Sequence, residues 1–458
     1  MNESKNDLRL WQLAWPAVLA NLLQSTVGLV DVKVVGTLGA SAVAAATTSQ
    51  RLFFVTQATL TAVSAGTTAL VARAWGAGNR EQAGRVVGSS LMIACVLGLG
   101  LGAAGLLMAE PIAAAFGLEG AARPLTVIYI HWQSCFTIPF AVGFVIAAGL
   151  RAAGDTRTPF AFGIVSNVVN ILLLYLLVFG AWGFPKLAVK GAAMAGGIAF
   201  TVSGALALWL WQRDKLLIKR TRGPAPHDSH MQALLAIGYP AAIEQLVVQS
   251  GFVAFTILIA RCFGSKALAA YGIGVQILSL SYVVGFGFAV AASTMVGQHL
   301  GASEPESAAR SAWRATRLAV GAMSLLALLV TACARQLATL MISDPQVVRL
   351  TVSFIYLLGA AQPLMAIEFA LGGALRGAGD TRFPLLASFV GLILGRVLIA
   401  GLLTWLGFSV EWIYGALLCD YTLKAILLVH RFRSGKWKQA LTTPQAARIA
   451  PAVVATRT

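Results

Sequence analysis

The chain has 458 residues, is 58% hydrophobic and only 11% charged, and has a mean hydropathy of +0.78. Soluble domains carry roughly 25% charged residues; a soluble globular fold is excluded, because it could not hide this much apolar surface, whereas a bilayer replaces water around the outer faces. The net charge of +17 would suggest a nucleic-acid partner in a soluble chain, but membrane proteins collect Lys and Arg on cytoplasmic loops, and no nucleic-acid motif competes with that reading.

A helix needs about 20 largely apolar residues to cross the hydrocarbon. The first candidate span begins near Leu10. The stretch Trp11 to Val30 carries Pro16 and runs on into Asp31 without a small-residue cleavage site, so it reads as a membrane helix and not as a cleavable signal. Further spans begin near Arg51, Val86, Leu125, Phe160 and Leu187, and six more near Ala233, Leu268, Ser311, Leu350, Leu385 and Glu411. The expected organisation is a six-helix half over residues 1–211, a linker over 212–232, a second six-helix half over 233–432 and a basic tail over 433–458. The linker holds the longest polar interruption, Gln212 to His230, with Arg213, Lys215, Lys219, Arg220, Pro224 and Pro226. The tail is expected either to touch anionic lipid or to be solvated.

The loops set the orientation. Placing the amino terminus and every second loop on one side gathers 23 Lys and Arg there, including Arg73, Arg80, Arg151, Arg213, Arg376 and Arg433, against 8 opposite. By the positive-inside rule both termini are cytoplasmic. The five cysteines, Cys95, Cys135, Cys262, Cys333 and Cys419, fall singly in apolar stretches. They indicate neither a zinc site nor a disulfide framework and read as small buried residues.

A duplication is the strongest internal signal. Leu150-Arg-Ala-Ala-Gly-Asp-Thr-Arg-Thr-Pro159 recurs as Leu375-Arg-Gly-Ala-Gly-Asp-Thr-Arg-Phe-Pro384, with eight of ten positions identical at an offset of 225. The same offset aligns Gly39 with Gly264 and Val71 with Val296, while 224 aligns Pro16 with Pro240 and Pro139 with Pro363. Even numbers of spans per repeat give both halves the same orientation, as in secondary transporters whose substrate sites lie between parallel repeats. The fold expected is an all-α membrane protein of about twelve transmembrane helices in two parallel-repeat six-helix bundles. The matched prolines are expected to kink the first, fourth, seventh and tenth spans, as hinges or as packing features. In the repeated motif, Gly ends one helix, Asp caps the next and Pro suits its start. Arg151 and Arg376 are candidates for salt links closing the cytoplasmic side.

Charges inside the membrane cost about 2.5 to 3.5 kcal/mol each on insertion scales and are functional candidates by default. Asp31 lies late in the first span; Lys33, two positions on, does not face it. Glu244 follows Pro240 and Glu368 follows Pro363, with no opposite charge nearby in sequence, so both read as cavity-facing ion sites. Asp420 and Lys424, four apart on one helical face, read as mutually neutralising. Arg396 is expected at a helix end or paired with an acid. Desolvation penalises the charged form of any unpaired carboxylate, so such a group can bind and release a proton and bias a two-state equilibrium. Asn167, Gln245, Gln249 and Gln276 are candidates either to line a cavity or to bond helices together. No Walker A, HExxH or GxSxG sequence occurs. Gly100-Leu-Gly-Ala-Ala-Gly105 lies inside an apolar span and reads as a packing face.

These features resemble the multidrug and toxic compound extrusion (MATE) family. The resemblance is carried by the duplicated halves, the doubled Leu-Arg-x-Ala-Gly-Asp-Thr-Arg-x-Pro, Val30-Asp-Val-Lys-Val-Val-Gly-Thr-Leu-Gly39 and Gly76-Ala-Gly-Asn79, and it extends from about Leu10 to Arg433. It implies a V-shaped twelve-helix bundle that exports small, often cationic or amphipathic, organic compounds by alternating access coupled to H⁺ or Na⁺. The family's first-helix acid falls on Asp31 and its fifth-helix Asn on Asn170. Where relatives often carry a second acid the chain has Leu174, and an acid used by one branch in the tenth span falls on Met365. A multidentate Na⁺ site of oxygen ligands is thereby depleted, which favours proton coupling. The ion-coupling set expected is therefore Asp31, Asn170, Glu244 and Glu368, with no cofactor beyond the coupling ion. The expected partners are membrane lipid and a small-molecule substrate, not nucleic acid, and the protein is expected to act as a monomer in the cell inner membrane. The alternative is a lipid-linked sugar flippase of a related fold, which would need a larger, basic cavity.

Overall fold

A computed structural model of the chain describes residues 2–221 and 228–440. Among these residues all regular structure is helical. In chain order the helices are α1 (Asn2–Gly36), α2 (Ala40–Gly76), α3 (Arg80–Ala115), α4 (Ala122–Cys135), α5 (Thr137–Ala153), α6 (Arg157–Phe179) and α7 (Ala188–Gln212), then α8 (Asp228–Gly301), α9 (Pro305–Ala332), α10 (Ala334–Met341), α11 (Pro345–Gly377), α12 (Arg382–Phe389), α13 (Ile399–Trp405) and α14 (Val410–Arg433). Ten stretches are long and apolar enough to cross a membrane, and the bent pair α4 and α5 forms an eleventh span. The longest, α8, is two helices that meet at Gly264, which brings the spans to twelve. In lipid each backbone N–H and C=O must find its partner within the protein, and a helix supplies that partner inside its own segment.

The chain forms two compact units. One comprises Leu19–Gly238; the other comprises the chain up to Val18 together with the chain from Tyr239 onward. In the first unit Leu60, Val63, Val87, Val145 and Leu150 form one apolar cluster, while Val35, Leu174, Val178 and Val189 form another. In the second unit a larger cluster includes Phe255, Tyr271, Phe288, Met323, Phe354, Met365 and Tyr414, with Leu10 and Leu13 of α1 packed into it.

The duplication extends to backbone conformation. Gly39 has φ 102° and ψ 172°, and Gly264, its repeat partner, has φ 77° and ψ −173°. This region is essentially closed to residues with a Cβ, and each glycine turns the end of one span into the start of the next. The doubled motif behaves alike: Gly154 and Gly379 both have positive φ. Asp155 Oδ1 accepts from the Thr158 N–H at 3.0 Å, and Asp380 Oδ1 from the Phe383 N–H at 3.4 Å. Asn79 caps α3 by accepting from the Gln82 N–H at 2.9 Å. Outside the spans, at the start of α11, the Gln346 and Val347 N–H groups and then Lys266 hold the Asp344 carboxyl below its usual range.

Other expectations change. Of the four matched prolines only Pro139 accompanies a break: α4 and α5 meet at Phe136 with a bend of 50°. Pro16, Pro240 and Pro363 lie within continuous helical stretches of α1, of α8 ahead of Gly264 and of α11. One missing hydrogen bond does not by itself end a helix that neighbouring helices support. At the break, the Thr137 hydroxyl donates to Ser134 O at 3.0 Å, and the Phe136 ring occupies the space that a Cβ at Gly197 would need. The cysteines are not a buried set: Cys135, Cys262, Cys333 and Cys419 are exposed and Cys95 is half-buried. A thiol is apolar enough for a lipid-facing surface. The glycines of the 100–105 stretch do pack helices, since Gly102 and Gly105 lie against Ser134 of α4.

The polar linker is partly a docked strap. Leu216 and Ile218 are buried, and the Thr221 hydroxyl donates to Glu81 O at 3.0 Å; residues 222–227 of the linker lie outside the described residues. The start of the tail docks as well, with Trp437 buried and Lys438 paired with Glu306 at 2.5 Å; residues 441–458 lie outside the described residues.

Gly264→Ala is expected to cost about 1–3 kcal/mol through backbone strain. Gly272→Ala in the same helix, where nothing lies within 4 Å of the added Cβ, is expected to be neutral or slightly stabilising. Thermal unfolding in detergent compares the two.

Candidate functional site

Asp31, on the last turns of α1, reaches α6. The Asn170 side-chain amide donates to both Asp31 carboxylate oxygens, at 3.1 and 3.3 Å. Asn170 is buried, and Asn167, one turn earlier on the same helix, is buried on the same face. Together they line a cavity of about 280 Å³ whose walls all belong to the first unit. Gln24, seven residues before Asp31 and so on the same side of α1, also lines it, as do Gln50 of α2 and Gln133 of α4. The Gln133 Oε1 is buried without a hydrogen-bond partner. Much of the remaining wall is aromatic: Phe53 and Phe200 stack, Phe140 lies tilted against both, with ring centroids 4.8 to 5.6 Å apart, and Phe136 and Tyr129 join them in the lining. Among the described residues, no Lys or Arg contributes to the lining. Lys33 is exposed and lies off the cavity. Leu174, where the family resemblance expects a second acid, is buried in the apolar cluster with Val35 and Val178.

The second unit holds a different arrangement, a cluster of six charged side chains within the spans. Glu244 of α8 pairs with Arg376 at the end of α11, at 2.6 and 3.3 Å, and accepts from the Ser388 hydroxyl at 3.1 Å. Glu368 of α11 pairs with Lys424 of α14 at 3.2 Å. Lys424 also reaches Asp420, one turn before it, at 3.1 Å, and Asp420 in turn contacts Arg396. The expectation that Asp420 and Lys424 neutralise each other and that Arg396 pairs with an acid is met in the same group. Three carboxylates thus meet three basic groups. Glu244 and Glu368, which have no opposite charge nearby in sequence, each hold a basic partner in the fold and do not line the large cavity. The space between them is only about 10 Å³. Met365 is fully buried in the apolar cluster.

The helix before α14 explains how these charges come together. Val390–Leu398, between α12 and α13, is wound as a π-helix, a form frequent at functional sites. It carries Arg396, which is fully buried and lies against the rings of Phe252, Phe255 and Tyr421. On the same segment, a Cβ at Gly391 would fall 2.6 Å from Asp420 Oδ1, and one at Gly395 would fall 3.1 Å from Asp420 Cα. Bare glycine at both positions lets α14 approach until its charged face meets Arg396.

The structure therefore brings together Asp31, Asn170 and Asn167 from the expected set, and separately brings Glu244 and Glu368 into the charge cluster. Gln245 is half-buried and Gln249 and Gln276 are exposed, and none of the three lines the cavity. Sequence reasoning missed Gln24, Gln50, Gln133 and the aromatic wall. The seven-residue spacing of Gln24 and Asp31 was the available signal; the aromatics look like ordinary core residues until the bend at Phe136 gathers them. Asp420→Ala, which strands the buried Arg396, is expected to destabilise the second unit by about 3–5 kcal/mol, read as a lowered unfolding temperature in detergent. Asp420→Ala combined with Arg396→Met is expected to recover much of that loss.

Comparison with known proteins supplies the family. The MatE family pattern matches residues 16–176 and again 240–400, one match in each half of the duplicated chain. A probable multidrug resistance protein NorM of Thermotoga maritima is 32% identical over 444 residues, which is 95% of this chain and 94% of that protein. A multidrug resistance protein NorM of Burkholderia vietnamiensis is 28% identical over 85% of both chains. Among solved structures, the Vibrio cholerae MATE transporter VcmN in its bent form superposes with a TM-score of 0.87 at 22% identity, covering 96% of this chain and 98% of that one. The repeated match, together with a relative above 30% identity along nearly the whole length, establishes that this chain belongs to the MATE family of multidrug efflux transporters.

Proposed function

We propose that the protein is a secondary antiporter that exports small organic cations by alternating access, driven by a proton gradient through Asp31. The observation that carries this reading is the first-unit cavity. It combines a carboxylate that has an amide partner and, among the described residues, no ion partner, unfilled amide acceptor capacity at Gln133, a packed group of aromatic rings and no basic lining residue among those described. Aromatic faces attract organic cations through their ring quadrupoles, and a cavity of a few hundred Å³ suits a small molecule. A sugar diphosphate would meet a carboxylate there and nothing to balance its charge.

Coupling follows if proton and substrate compete for one carboxylate. A proton arriving at Asp31 removes the charge that holds the organic cation, and each occupied state biases the conformational equilibrium by its own differential affinity. Asn170 orients Asp31 toward the cavity and supports its charged form by hydrogen bonding. In this reading the protein is not an enzyme and uses no cofactor beyond the coupling ion. It works as a monomer in the cell inner membrane with both termini cytoplasmic, the arrangement its loop charges favour.

Efflux of a fluorescent organic cation from proteoliposomes tests this under separate proton and sodium gradients. A proton gradient alone is expected to drive transport, and Asp31→Asn is expected to abolish it with the unfolding temperature retained. Transport driven by sodium alone would overturn proton coupling, and indifference to both gradients would overturn antiport itself. Asn170→Ala is expected to lower the initial rate by about tenfold or more, because a hydrogen bond to a charged group contributes on the order of 1.5–3 kcal/mol.

A further inference from the structure

We infer that Lys424 is a tethered cation: its ammonium occupies, in the second unit, the place between Glu368 and Asp420 that a monovalent solute cation would otherwise fill. Four observations support the assignment. The ammonium lies 3.2 Å from a Glu368 oxygen and 3.1 Å from an Asp420 oxygen, so it bridges two carboxylates on different helices, as a bound cation does. The other two bases are already committed, Arg376 to Glu244 and Arg396 to the second Asp420 oxygen. Three acids against three bases leave the cluster neutral, and removing the ammonium would leave one uncompensated negative charge. The adjoining space of about 10 Å³ holds roughly one water molecule, too little for a further cation with its own oxygen shell.

The duplication adds a separate argument. Gly183-Phe184 and Gly191-Ala192 of the first half recur as Gly407-Phe408 and Gly415-Ala416 at an offset of 224. That register places Asp420 opposite Gly196 and Lys424 opposite Phe200. Both Gly196 and Phe200 line the open cavity of the first unit. Likewise Asn170 corresponds, at 225, to Gly395, which lies against the Asp420 backbone. The positions that enclose an open polar cavity in one half thus carry, in the other, a carboxylate and the ammonium that neutralises it. Along the sequence only Asp420 is in register to pair with Lys424; the second carboxylate, Glu368, comes to the same ammonium from another helix.

Thermal unfolding of the purified full-length protein in rising sodium chloride, against choline chloride at equal ionic strength, tests the inference. The unsubstituted protein is expected to show no sodium-specific shift. Lys424→Ala is expected to unfold at a lower temperature in choline and to regain about 2–4 °C in sodium. Lys424→Ala combined with Glu368→Gln is expected to lose that recovery, and Lys424→Arg, which keeps a positive charge, is expected to behave like the parent. If the alanine variant does not fold, Lys424→Gln takes its place, since its amide keeps a hydrogen-bond donor. A sodium-specific shift in the parent that Glu368→Gln removes would overturn the inference, because the site would then already take a solute cation. A Lys424 variant indifferent to sodium would overturn it as well. Asp31 is untouched in all of these proteins, so the outcome is separable from the fate of the proton-coupling reading.

Discussion

The low dielectric of the membrane interior governs this protein at every scale. Backbone polar groups that cannot reach water must pair within the protein, so the regular structure of the described residues is helical and a break needs something to replace the missing bond. At Phe136 the replacement is the Thr137 hydroxyl on the Ser134 carbonyl. At Gly39 and Gly264 it is a tight turn that only glycine can make. The same constraint acts on charge. An ionised group inside the membrane has to be paired, or has to face a space where a ligand, an ion or water can serve as its partner.

The two halves answer that demand differently on a shared scaffold. Turn glycines, capping aspartates and spans repeat with an offset of 224 to 225 residues, yet the polar side chains do not repeat. In the first unit a single carboxylate, Asp31, is met by an amide and opens on a cavity of about 280 Å³. In the second unit six charged groups close on one another around a π-helical segment. Arg151 and Arg376 occupy equivalent motif positions, but the acid that pairs with Arg376, Glu244, falls at an offset of 224 on Ala20 in the first half. Duplication thus preserved the fold while the chemistry diverged, leaving one half with a carboxylate that faces a cavity and the other with charges paired to one another.

The cavity's composition bears on what it can hold. The packed rings of Phe53, Phe140 and Phe200 give a broad apolar wall, tolerant of ligand shape because dispersion and cation–π attraction depend only weakly on orientation. Polar specificity is confined to one carboxylate and a few amides. A site of this kind selects for charge sign and amphipathic character more than for a particular molecular outline, which accords with membership of a multidrug efflux family.

Much of this was legible before any coordinates. Hydropathy alone counts the spans, because about twenty apolar residues are the fixed cost of crossing a bilayer. The duplicated motif reveals the repeat, since turn geometry demands the same Gly, Asp and Pro wherever it recurs. Asp31 stands out because a charge in a span is expensive, and the partner assigned to it through the family resemblance, Asn170, is the residue that binds it. What the sequence could not supply was pairing across helices. Arg376 lies 132 residues from Glu244, and Lys424 meets Glu368 from another span, so two carboxylates that look unpaired along the chain are neutralised in the fold. Nor does a sequence show that Val390–Leu398 winds as a π-helix, or that a bend at Phe136 turns scattered phenylalanines into a cavity wall. Those outcomes depend on helix rotation and close approach, which local preference leaves open and only the packing of all the spans decides.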